Sequence, residues 1–371
     1  MPDRTFDLSR LEVGDSLPCN VRDGKGTLLL REGLVATSDK QLETLVRHAS
    51  QPYAYAPATP DDTYFRKSPL ALVLGARRHL QALFSDPADV DFAPALLRIA
   101  GKVRRACRLN ADVALASILM CRDEPYAIRH SVNVAITSCI TGTAIGLDEA
   151  PLTSTVAAAL SMNIGMLALQ EHLHALKGKL SDAQRAEVEG HCERGVAILR
   201  EHGVGDPLWL EVVRDHHEHP DGSGYPTGKT ADEISVPAQL VSLGDIYCAR
   251  VSDRRHRPAM QPNVALRWLF LNEGTAFDER YTALFIKALG VYPPGTGVRL
   301  RNGSIGVVTH RGDSGERPKV ASITTRDGLR VSVPIRRSAR VPSHAITEVV
   351  DLDEMGMNVG MEALWGADAV A

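Results

Sequence analysis

No two cysteines in this 371-residue chain have C-x-x-C spacing. The six present, Cys19, Cys107, Cys121, Cys139, Cys192 and Cys248, are scattered. That is the pattern of reduced thiols, and it excludes a zinc knuckle or a disulfide framework. Excess basic charge is missing too. With 42 Lys and Arg against 45 Asp and Glu, the formal charge is -3, so the electrostatic footprint of a nucleic-acid-binding protein is not there. No apolar run approaches the length needed to span a bilayer, and no signal-peptide pattern opens the chain. Internal repeats and low-complexity blocks are absent. What remains is the expectation of a soluble cytoplasmic protein, long enough for two or three domains.

The pattern along the chain is β, then helical, then β. Residues 1–57 read as a small β-rich module: Cys19–Arg22 and Gly26–Leu30 flank the Asp23-Gly24 turn. Ser38-Asp39-Lys40-Gln41 has capping-box spacing before a short helix. Such a module is either a regulatory or docking domain or a packing cap. Residues 58–122 read as a linker and three lead-in helices, carried by Leu70–Phe84, Leu96–Val103 and Val113–Leu119. Their apolar faces either pack on the core or form the seam of a homodimer. Residues 123–290 form the helical heart, with Ala127–Thr143 and Leu152–Leu160 as buried helices. A further helix starts at Ser181 and runs through His191 to Leu199. From 291 to 350 two hairpins turn at Asn302-Gly303 and Asp327-Gly328, and 351–371 reads as a mobile tail.

The densest chemistry lies in Asp215-His216-His217-Glu218-His219-Pro220-Asp221-Gly222-Ser223-Gly224-Tyr225-Pro226. Leu208–Val213 reads as a helix whose last turn presents two adjacent imidazoles, the commonest protein metal ligand. The glycines and Pro226 then force a turn.

That stretch resembles the HHExxDGxGYP signature of the HD-GYP family, bacterial phosphodiesterases that open cyclic di-GMP. The resemblance implies a mainly α, HD-superfamily helical domain here, with small β modules at both ends. It also implies metal ligands at His130, in Tyr126–Ser131; at His191, in the HxxxG segment His191–Gly195; at His216 and His217; and at Asp245. Arg254 and Arg257, in a segment similar to SDRPYR, become candidate phosphate contacts. Asp221, Gly222, Gly224, Tyr225 and Pro226 become a nucleotide- or partner-binding loop. In the family that loop is associated with GGDEF domains.

The chain departs from the family at its defining pair. Around an intact Ile164-Gly165, Met162 stands for the His, Asn163 for the Asp and Met166 for the Lys of the catalytic motif. Cys248 replaces a second acid beyond Asp245. Thioether is a poor ligand for hard divalent ions. A neutral amide does not bridge two cations, and the loss of Lys removes a charge from the phosphate site. The expectation is therefore a two-metal site that does not form. At most one zinc, iron or manganese ion sits at His191, His216 and His217. Three functions remain open. One is an impaired module that senses cyclic di-GMP or docks a signalling partner. A second is a working metal-dependent phosphodiesterase giving pGpG or GMP. The third is a purely structural regulator.

Overall fold

The computed structural model describes residues 21–22, 28–30, 68–85, 91–122, 125–175, 181–253, 259–272, 276–312 and 318–371. They fall into two compact units, one from 68–293 and one from the described parts of 1–67 and 294–370.

The first unit is helical. Among the described residues its α-helices are α1 (Pro69–Ser85), α2 (Phe92–Met120), α3 (Tyr126–Ala144), α4 (Glu149–Ser161), α5 (Leu167–Ala175), α6 (Asp182–Glu189), α7 (His191–Glu201), α8 (Pro207–Asp215), α9 (Val236–Arg250), α10 (Pro262–Leu271) and α11 (Glu279–Leu289). At the centre lies α3, buried at every residue from Tyr126 to Gly142. A helix enclosed on all sides is apolar all round or satisfies its own polar groups. On α3, Thr137 and Thr141 hydroxyls donate back to the Val134 and Thr137 carbonyls at 2.9 and 2.8 Å.

The lead-in helices share this core: Leu72, Leu80, Leu96, Val103 and Leu115 pack in one cluster with Val132, Val156 and Val213. A fully buried Arg77 on α1 donates to the Ser117 and Cys121 carbonyls, at 3.3 and 3.1 Å, and to Asn133 Oδ1 at 3.0 Å. It thereby ties α1 to the end of α2 and to α3.

Two expected boundaries moved. The second and third lead-in helices run on as α2, interrupted only at Asn110, where φ is -157° and ψ is 97°. The Asn110 side chain accepts from the Asp112 and Val113 amides at 3.1 and 3.2 Å, which is N-cap chemistry inside one long element. Conversely, the single helix expected from Ser181 is two, α6 and α7, separated by Gly190. The Ser181–Gln184 capping box is present.

One stretch, Glu149–Leu173, is long and apolar enough to cross a membrane by length and composition alone, a correction to the expectation that no run comes near. Its most apolar window is 61% buried inside the unit, as in an ordinary core helix.

The second unit is β-rich. Strands β1 (Val21–Arg22) and β2 (Leu28–Leu30) pair antiparallel, and the expected Asp23-Gly24 turn lies outside the described residues. The Ser38 capping signal lies outside the described residues, as does the linker before Ser68. Strands β3 (Gly297–Leu300), β4 (Ile305–His310), β5 (Lys319–Thr324), β6 (Arg330–Ser338) and β7 (Ile346–Val349) form an antiparallel sheet in the order β6-β5-β4-β3-β7. Both expected hairpins are there. The expected mobile tail is not: it holds a helix, α12 (Met361–Trp365), with Met361, Leu364 and Trp365 buried. The Trp365 indole N–H donates to the Thr309 carbonyl at 2.9 Å.

Candidate metal centre

Helix α8 starts at the Asp206 cap, which accepts from the Leu208 and Trp209 amides, and has Pro207 at its first turn. Its buried Trp209 donates to Ser161 Oγ at 2.8 Å, locking α8 to the end of α4. The helix ends at Asp215, so His216 and His217 follow at its C-terminus, as the sequence suggests. Helix α7 opens with His191. It is pressed onto the 3-10 turn Ile164–Met166 so closely that a Cβ on Gly165 would lie 2.2 Å from the His191 carbonyl oxygen. The intact Ile164-Gly165 thus has a packing reason.

These supports bring His191, His216 and His217 together, with one ligand atom of each within 4.8 Å of the others. The hydrogen bonds fix how two of them are protonated. His191 Nδ1 bonds to the Val188 carbonyl at 2.5 Å and His216 Nδ1 to the Val213 carbonyl at 2.8 Å. A carbonyl only accepts, so both Nδ1 atoms carry hydrogen and both Nε2 atoms offer lone pairs. The two Nε2 atoms face each other at 3.3 Å. Burial, then the neighbouring imidazole, depresses His191 to about 4. Burial likewise lowers His216, and it lowers His217 well below the usual imidazole value.

Two neutral lone pairs aimed at each other repel unless a cation lies between them. The separation matches the edge of a tetrahedral zinc site, about 3.3 Å for Zn–N bonds near 2.05 Å. The donor set therefore fits a divalent ion, and backbone carbonyls orient the ligands from behind.

The other two expected ligands, His130 and Asp245, also lie side by side. His130 Nε2 lies 2.6 Å from Asp245 Oδ1: the two are bound to each other. Burial pushes the Asp245 carboxyl up, but the His130 hydrogen bond and the nearby imidazoles more than offset it, leaving it below the ordinary range. Met162 is fully buried in the hydrophobic core, Asn163 is 2% exposed, and Met166 is half-buried.

The loop after His217 is held by groups to which the motif assigns no role. Buried Glu218 accepts from the Thr227 amide and hydroxyl, both at 2.7 Å, and from the Lys229 amide at 2.9 Å. Buried Asp215 accepts from Arg214 at 2.7 Å and from Lys229 Nζ at 2.6 Å. Their only signal was a carboxylate on each side of the histidine pair. Gly222 turns the chain at φ 77°. Gly224 passes so close to His217 and His219 that a Cβ there would meet their backbone at 2.5 and 2.3 Å. Tyr225 then stacks on His217, centroids 4.8 Å apart, and edges His191 at 6.4 Å. The expected nucleotide- or partner-binding loop is thus half-buried at Gly224, Tyr225 and Pro226, with the tyrosine turned inward. Asp221 accepts from Ser223 in its own turn. Arg254 and Arg257 lie outside the described residues.

The HD domain family matches residues 115–281. The chain is 30% identical over 256 residues to the cyclic di-GMP phosphodiesterase PA4108 of Pseudomonas aeruginosa, covering 68% of this chain and 59% of that protein. It is 31% identical over 169 residues to the 3'3'-cGAMP-specific phosphodiesterase 3 of Vibrio cholerae, covering 46% of this chain and 36% of the relative. Less than two thirds of either relative is therefore spanned. The solved structure of Bd1817, an HDG"Y"P protein from Bdellovibrio bacteriovorus, superposes with a TM-score of 0.52 at 15% identity, over 76% of this chain and 97% of that one. It shows the fold.

Over residues 115–281 the chain is similar to the HD domain family, and its fold is that of a solved HDG"Y"P protein.

In HD-GYP terms, the histidines of the HxxxG and HHE segments are assembled, and the turn that should carry His-Asp holds Met162 and Asn163 instead.

Proposed function

We propose that this is an HD-GYP protein that binds a cyclic dinucleotide of the cyclic di-GMP class while hydrolysing it slowly or not at all, and that its centre holds one divalent ion. The reading is carried by one contrast. Three neutral imidazoles converge, while positions 162 and 163 hold a thioether and a neutral amide where a second ion calls for an imidazole and a bridging carboxylate.

An ion at His191, His216 and His217 supplies Lewis acidity toward a phosphoryl oxygen. The chain's own residues orient and seclude it. Val188 and Val213 carbonyls fix two imidazoles, and Tyr225 covers His217 on one face. Two-metal hydrolysis needs a carboxylate bridge between ions about 3.5–4 Å apart. Asn163 offers no charge for that bridge, and groups that act as a unit are not replaced by those that remain.

Purified full-length chain, loaded in turn with manganese, iron and zinc, is titrated with cyclic di-GMP by calorimetry and assayed for pGpG and GMP. Saturable binding without turnover is expected. Turnover at an ordinary enzymatic rate, about 1 per second or faster, overturns the proposal, and so does absence of binding.

A further inference from the structure

Asn163 has a buried side-chain oxygen, Oδ1, with no hydrogen-bond partner among the described residues. Leaving such an atom unsatisfied is costly, and buried orphans in folded proteins call for an explanation. The elements around it supply one. Two residues before Asn163, Ser161 accepts the Trp209 indole hydrogen from α8, the helix capped by His216. Two residues after it, Gly165 lies against the His191 backbone of α7. The Asn163 carbonyl accepts from the Met166 amide, closing the turn between those two anchors. The turn that carries the orphan oxygen is therefore pinned on both sides to the helices that supply the three imidazoles.

We infer that Asn163 is the fourth protein donor of a single-ion site, its side-chain oxygen joining the imidazoles of His191, His216 and His217. This rests on the one-ion reading above and adds the ligand. A carboxamide oxygen is a neutral donor with lone pairs to give. It completes the coordination of one ion and does not neutralise the charge of a second. On this account the substitution at Asn163 converts the shared ligand of a pair into the private ligand of one ion. Cys192 is the competing donor, with Sγ 3.6 Å from His191 Nε2.

The test is cobalt(II) titration of the full-length chain, read by visible absorption and by competition with a chromophoric chelator. Wild type, Asn163→Ala, Asn163→Asp and Cys192→Ala are compared, and melting curves check folding. Wild type should take one cobalt per chain with no thiolate-to-cobalt charge-transfer band. Asn163→Ala should bind about 10-fold more weakly or worse, on the order of losses seen when metal-site residues are removed, with shifted ligand-field bands. Asn163→Asp restores an oxygen and should bind at least as tightly as wild type, again with shifted bands. Cys192→Ala should match wild type.

An unchanged affinity and spectrum in Asn163→Ala overturns the assignment, as does a thiolate band lost in Cys192→Ala. Should Asn163→Ala fail to fold, an Asn163→Asp spectrum identical to wild type does the same. In those cases a single cobalt on the wild type leaves the one-ion reading standing. Zero or two cobalt ions on the wild type sink that reading as well.

Discussion

At the scale of single residues, the centre works because burial keeps its imidazoles neutral and two backbone carbonyls choose which nitrogen faces inward. That has a consequence for stability against pH. His191 titrates at about 4 in the folded chain and near 6.5 when unfolded. Between those values the unfolded chain binds the proton and the folded chain does not. The stabilisation is therefore fully present above about pH 6.5 and is lost as the pH falls toward 4, about 3 kcal/mol from His191 alone. His216 and His217 act in the same direction. Urea midpoints measured with chelator present should fall between pH 7.5 and 4.5; a flat profile contradicts this. Replacing His216 by Ala removes a ligand and should weaken zinc binding by more than the roughly 10- to 100-fold typical of outer-shell changes, measured by chelator competition.

Much at this scale was legible, because residue type alone tells a histidine ligand from a methionine. What the sequence hid was pairing. Nothing in the spacing of His130 and Asp245 says that they bind each other, or that Glu218 holds the loop by three hydrogen bonds.

At the scale of elements, the helices that carry ligands are placed by close backbone contact. A methyl group at Gly165 would fall 2.2 Å from a backbone oxygen of α7, and backbone does not swing aside as a flexible side chain does. Gly165→Ala should cost about 1–3 kcal/mol, the usual range for overpacking, and should weaken metal binding through displacement of His191. Thermal melts and the cobalt titration read both, and an unchanged affinity contradicts the account.

Apolar periodicity located α3, α4 and α8 well, since a continuous stripe of Val, Ile and Leu survives any detail of packing. It failed at joins. Asn110 reads as a boundary, yet its cap lets α2 continue through it. Gly190 was passed over, because its low helix propensity was outweighed by the periodic residues on either side. The tail was misread for a related reason. Its residues are acidic and small except for a few apolar ones, and these are the residues that bury themselves: Met361, Leu364 and Trp365.

At the scale of the whole molecule, the helical unit and the β-rich unit each have their own buried residues. Trp365→Ala removes a buried ring and its bond to Thr309, and should cost the β unit about 3–5 kcal/mol. Zinc affinity of the helical unit should be unaffected, as checked by calorimetry on the same variant. Metal should do the reverse. Zinc at about 100 times its dissociation constant stabilises the unit that binds it by about 2.7 kcal/mol, which calorimetric melting would show as a rise in one transition.

The family resemblance was legible in the sequence because its motif is short and dense. Its activity was not, since the proposed one-ion reading and a two-ion one differ by a single turn, the one that holds Met162 and Asn163. Anomalous diffraction from crystals grown with zinc, collected on both sides of the zinc edge, counts and places those ions directly. One peak among His191, His216 and His217, with none between His130 and Asp245, is the predicted result. Two peaks within about 4 Å of each other, the spacing of a two-metal hydrolase, would contradict it.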